Sequence, residues 1–194
     1  MMRAGDVVII AIVVAFGTDA VAGNAIGEVL TQFNYMPAFG VATATVMLVA
    51  HAVGEGDMKE VGLIGKRTFW LSFACMLPLA LCIFALGRPL TLLYTDNSGA
   101  ITASLSVILF SLLGTPMTVG TVIYTAVWQG LGNASLPFYA TTVGMWLIRI
   151  ITGYLLGVTF GLGLPGVWAG TLLDNGFRWL FLKSLYDRKM REIT

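Results

Sequence analysis

Three ionisable side chains, Glu28, Arg149 and Asp174, stand near the middle of long apolar stretches. In lipid, a charge at a helix centre costs roughly 2.5 to 3.5 kcal/mol on insertion scales, so each needs a partner or a watery cavity. A carboxylate in such a cavity can hold a proton or a small cation and can attract cationic cargo. Asn24 and Gln32 lie four residues before and after Glu28, which puts three polar groups on one helix face just ahead of Met36-Pro37. Such a face looks inward, either lining a cavity or hydrogen-bonding to neighbouring helices. In the last apolar stretch Gly166, Gly170, Asp174 and Arg178 recur every four residues, with the acid ahead of the base in the favourable order. Asp174 has two available counter-ions, Arg178 on its own helix and Arg149 across the turn at Gly161 to Pro165. Either pair can fix helix register, and a pair that exchanges partners can act as a gate.

Ser111, Thr115, Thr118, Thr121, Thr125 and Trp128 form a neutral polar stripe at spacings of three and four, with Tyr124 beside it. The stripe suits a cavity for amphipathic organic compounds, with Thr115, Thr118, Tyr124 and Trp128 as its lining; ordinary packing by small hydroxyl residues is the alternative. His51, the one histidine, falls at a helix end and reads as solvated. Cys75 and Cys82 lie seven apart on one apolar run, roughly 10 Å along a helix and beyond disulfide reach, and read as small apolar packing residues. No metal cluster, nucleophile elbow or phosphate loop is present. The sequence therefore suggests neither an enzyme nor a cofactor.

The elements that position these groups are set by composition. Of 194 residues, 57% are hydrophobic and 11% charged, with a formal net charge of +1 and a mean hydropathy of +0.86. A soluble domain carries roughly 25% charge, so the solvent here is the lipid bilayer, and the near-neutral balance offers nothing to nucleic acid. At about 20 residues per crossing, the sequence predicts one all-α bundle of six transmembrane helices over residues 4–17, 19–53, 68–86, 100–128, 137–160 and 166–182. The first is short enough to read as a helix already under way where the sequence begins. Polar connections are expected over His51 to Arg67 and around Tyr94 to Gly99, and Pro37, Pro78 and Pro116 fall inside three of the spans. If both termini face the cytoplasm, that side holds Arg3, Lys59, Lys66, Arg67, Lys183, Arg188, Lys189 and Arg191, against Arg88 alone on the other, as the positive-inside bias requires. Glu28, Arg149 and Asp174 then each sit roughly 12 to 17 Å below the outer surface, the depth at which transporters place substrate and coupling ions.

Several short segments, in order, resemble the C-terminal half of the multidrug and toxic compound extrusion (MATE) transporters. They are Gly17 with Ala20-Val21-Ala22; Met36-Pro37 and Gly40 leading to His51-Ala52-Val53-Gly54; Leu93-Tyr94-Thr95-Asp96; Gln129-Gly130-Leu131-Gly132-Asn133 with Pro137; Arg149; and Gly161-Leu162-Gly163-Leu164-Pro165-Gly166-Val167-Trp168. The resemblance implies two six-helix lobes related by pseudo-twofold symmetry, with this chain as one lobe. It implies alternating access, with Na⁺ or H⁺ as the coupling ion driving export of small lipophilic organic cations across the cell (plasma) membrane. The partner would be the N-terminal lobe of the same transporter or a second half-size chain. Some members carry a carboxylate in the first helix and another in the fourth helix of the lobe. Here the first helix offers Asp6 and the fourth span no acid, which leaves ion coupling to Asp6, Glu28 or the other lobe. A lipid-linked glycan flippase of the same superfamily, for which Arg149 would be the cavity cation, and a non-transporting membrane scaffold are the competing readings.

Overall fold

A computed structural model describes residues 2–193, with side chains from Ala4 to Arg191; the side chain of Arg3 and the whole of Thr194 lie outside the described residues. Among those residues the chain is helix and turn throughout. The helices are α1 (Met2–Val14), α2 (Thr18–Gly54), α3 (Met58–Ala85), the short α4 (Gly87–Leu92), α5 (Ser98–Gly130), α6 (Ser135–Thr159) and α7 (Leu164–Ile193). α6 widens into π-helical turns at Gly144–Arg149 and Leu155–Thr159. By length and hydropathy α2, α3, α5 and α6 can each cross a membrane, and α1 contributes a shorter apolar helix over Ala4–Val14. Asp174, Asn175 and Arg178 lower the hydropathy of α7, and its neighbours shield them.

The connection expected over residues 51–67 is far shorter than its polarity suggests. α2 runs to Gly54 and α3 starts at Met58, because Gly56 takes a positive φ of 77° and the Asp57 carboxylate accepts the Glu60 N–H at 3.0 Å as an N-cap. Lys59, Glu60, Lys66 and Arg67 thus decorate helix rather than loop. At the opposite end Asn97 caps α5 by accepting the Gly99 N–H at 2.8 Å, and its amide donates to Asp19 at 2.9 Å, tying the starts of α2 and α5 together.

α5 is the central helix, packed against α2, α3 and α7. Backbones approach closely where side chains are smallest: a Cβ on Gly23 would run into the Ala100 carbonyl and Ser104 N–H of α5, and one on Gly27 into Val107. The principal core joins Val49, Val61, Ile123, Val127, Trp128 and Leu182 at the end where the α2–α3 turn lies. A second cluster of Ile9, Val13, Val107, Leu164 and Val167 fills the other end. The outside is apolar as well: Val7, Trp70, Leu71, Phe138, Tyr139 and Leu180 are all more than half exposed, as lipid-facing surface requires. Cys75 and Cys82 also lie on this outer surface as free thiols. They pack towards lipid and not in the protein core, because residues seven apart repeat the same outward face of α3.

Candidate functional site

The polar face of α2 is organised by Asn24. Its amide is 8% exposed, donates to Glu28 Oε1 at 3.1 Å and accepts from the Trp168 indole N–H of α7 at 2.9 Å. The amide is thereby locked between two helices and holds the Glu28 carboxylate on the exposed side of α2. Gln32 is exposed one turn further along the same face, with Phe33 and Met36 beside it. Behind this face Tyr35, Ser111, Thr118, Trp168, Thr171 and Asn175 surround a crevice of about 10 Å³, about enough for one water.

A second polar centre joins α6 and α7. Asp174 is fully buried and accepts from Arg178 Nη2 at 2.6 Å, while Arg178 also donates to Asn175 Oδ1 at 3.1 Å. Of the two available counter-ions the local one is therefore in contact. Arg149 pairs instead with Asp6 of α1, Nη1 to Oδ1 at 3.6 Å, and approaches Met145 Sδ at 3.6 Å. The other Asp174 oxygen has no hydrogen-bond partner. It faces Gly144 in the first π turn, where a Cβ would strike it. Gly153 and Gly157 of α6 meet Gly170 and Gly166 of α7 in the same way, so the two helices close on each other along a small-residue seam that brings Arg149 level with Asp174.

The stripe on α5 divides. Thr118 borders the crevice. Thr115 is buried and returns its hydroxyl to the Ser111 carbonyl at 3.0 Å. Thr121 donates both to the Met117 carbonyl at 3.0 Å and to the Asn175 carbonyl of α7 at 2.9 Å. Tyr124 and Trp128, expected as cavity lining, are 5% and 3% exposed inside the principal core. Trp128 Nε1 donates to the Leu182 carbonyl at 3.1 Å, and Tyr124 packs edge-on against Tyr186 at 5.4 Å. A large aromatic with one donor suits such a position, since the ring fills the core and a neighbouring helix carbonyl takes its hydrogen. His51 is exposed and lies 3.3 Å from Glu55. Sequence reasoning assigned no role to Asn175 and marked Trp168 only as the close of the Gly161 to Trp168 segment, while Thr121, a member of the stripe, is taken up by its contact with α7.

Residues 2–155 match the family model for MatE. The chain belongs to the MatE family. It is 29% identical over 163 residues to a probable multidrug resistance protein NorM of Thermotoga maritima, covering 84% of this chain and 35% of that protein. It is 27% identical over 163 residues to the multidrug resistance protein MdtK of Photorhabdus laumondii, with 81% and 35% covered. The MatE chain thus spans about a third of the length of these relatives. Its backbone superposes on MATE in the straight conformation with a TM-score of 0.90 at 18% identity, covering 98% of this chain and 43% of that one. MATE in the bent conformation gives 0.83 at 17% identity, with 92% and 40% covered. Members of the MatE family are membrane transporters, not enzymes, and the six longer helices of this chain correspond to under half of the solved MATE fold.

Proposed function

We propose that this chain is the C-terminal lobe of a cation-coupled multidrug efflux antiporter of the plasma membrane, with both termini cytoplasmic. It exports lipophilic organic cations by alternating access, driven by Na⁺ or H⁺, once paired with an N-terminal lobe or a second half-size chain. The observation that carries this reading is the exposed Glu28 carboxylate, held by Asn24, which Trp168 of α7 fixes from behind. An exposed carboxylate ten residues into a membrane-spanning helix is costly against lipid, and facing a second lobe across a watery cavity removes that cost. Glu28 then binds the coupling ion or the cationic cargo, Asn24 fixes its position, and Gln32, Phe33 and Met36 extend the surface. Asp6–Arg149 ties α1 to α6, and Asp174, paired with Arg178 within α7, packs against Gly144 of α6.

The test is ethidium uptake into inverted vesicles containing this chain together with an upstream six-helix lobe, driven by an imposed Na⁺ or H⁺ gradient. Glu28→Gln is expected to lower the initial rate by roughly tenfold or more, about 1.4 kcal/mol in barrier, at unchanged protein level. Gradient-driven uptake that is indifferent to Glu28→Gln removes Glu28 from the mechanism.

A further inference from the structure

Far from the α2 face, the first turns of α3 and the last turns of α7 enclose a cleft of about 830 Å³, in the size range of small-molecule sites. Among the described residues, Lys59, Lys66 and Arg191 line it against one carboxylate, Asp187, and Leu63 adds an apolar wall. Lys59, Gly62, Leu63 and Lys66 share one face of α3, and the absence of a side chain at Gly62 leaves the middle of that face open, since a Cβ there meets nothing. The floor is fixed: the Tyr186 hydroxyl donates to the Val61 carbonyl at 3.0 Å, and Gly65 lets the ring come that close. The spacing between the two helices is therefore built in.

The cations of this end differ in their surroundings, and Arg67 and Arg188 lie exposed outside the cleft lining. Lys183 and Lys189 stand over the rings of Trp179 and Trp128 at 5.9 and 5.5 Å. Lys59, Lys66 and Arg191 make no ion pair among the described residues; Arg191 uses only Nε, on the Asp187 carbonyl at 3.2 Å. Three unpaired cations around one concavity leave an anion unsupplied. Their depth indicates which. Lys66, followed by Arg67, stands at the start of the apolar run of α3, and Lys59 lies seven residues before Lys66, roughly 10 Å along the axis. With a headgroup layer of about 5 to 7 Å on each side of the hydrocarbon, Lys66 lies within that layer and Lys59 just beyond its outer edge, and a basic pocket at that level is suited to an anionic lipid.

The geometry points to a site for the headgroup phosphate of one anionic phospholipid, held between Lys59, Lys66 and Arg191 with its glycerol and upper acyl chains against Leu63. This site is independent of the transport reading, since it uses neither the α2 face nor Glu28. The full chain, purified in detergent, is titrated with phosphatidylglycerol, with phosphatidylcholine and with inorganic phosphate, and bound lipid is counted by native mass spectrometry. One phosphatidylglycerol per chain is expected, favoured over phosphatidylcholine by about tenfold or more. Gly62→Phe, which fills the cleft without touching a charge, and the triple exchange Lys59→Gln, Lys66→Gln, Arg191→Gln should each abolish the preference while the melting temperature in neutral detergent stays unchanged. Equal retention of the two lipids, a preference surviving Gly62→Phe, or displacement of bound phosphatidylglycerol by equimolar inorganic phosphate overturns the proposal.

Discussion

Asp174 is fully buried, and its contact with Arg178 at 2.6 Å is the interaction that neutralises it. Removing one partner of a buried pair leaves the other charge stranded, typically at a cost of about 3 to 5 kcal/mol. Asp174→Asn should therefore lower unfolding stability in detergent by an amount in that range. Adding Arg178→Gln should recover part of the loss, whereas strictly additive losses would show that the two side chains do not depend on each other. Tyr186 gives a second prediction. Burial, then the charges of Tyr124 and Asp187, push its phenol well above the ordinary value, near 10 in an unfolded chain. The neutral form is thus favoured in the fold, so its contribution to stability is complete below about pH 10 and is lost as pH rises through the higher folded value. Spectrophotometric titration at alkaline pH should find a tyrosine that ionises only together with unfolding. At this scale the i, i+4 contacts Asn24–Glu28 and Asp174–Arg178 were legible, because local helix geometry alone creates them. Trp168 on Asn24 and Asp6 on Arg149 were not, since partners more than a hundred residues apart meet only once the helices dock.

Helix type and helix ends show what patterning conveys and what it misses. Hydropathy located the long helices, but polarity at residues 51–67 does not separate a loop from helix that extends beyond lipid, and the Asp57 cap decides it. Nor does the pattern of α6 reveal two π-helical turns, because adding one residue to a turn leaves an apolar stretch apolar. A π turn behaves as a one-residue insertion in an α-helix. Deleting Ile148, within the first of them, should let that turn close into α-helix and cost about 1 to 2 kcal/mol. Deleting Ala126, in the continuous α-helix of α5, rotates every later contact and should cost more than about 4 kcal/mol. Unfolding followed by circular dichroism compares the two, and equal losses would mean that the π turn does not absorb the register.

For the molecule as a whole, an all-α membrane bundle was legible in composition and in run lengths. Which helix would be central was not: α5 earns that place through small residues on α2 facing its backbone, a complementarity absent from either segment alone. In the proposed orientation, which the unequal distribution of Lys and Arg favours, the α2–α3 turn is cytoplasmic and the α4–α5 turn external. With Cys75 and Cys82 replaced by Ser, a membrane-impermeant thiol reagent added to intact cells should label Ser98→Cys and spare Gly56→Cys; the reverse pattern inverts the topology. The central proposal, that this chain is one lobe of an exporter and acts only with a second, is tested most directly by ethidium efflux. Cells would carry this chain alone or with an upstream six-helix lobe, at matched membrane levels. Efflux is expected only when both lobes are present, and efflux by this chain alone, shown to be monomeric, would contradict it.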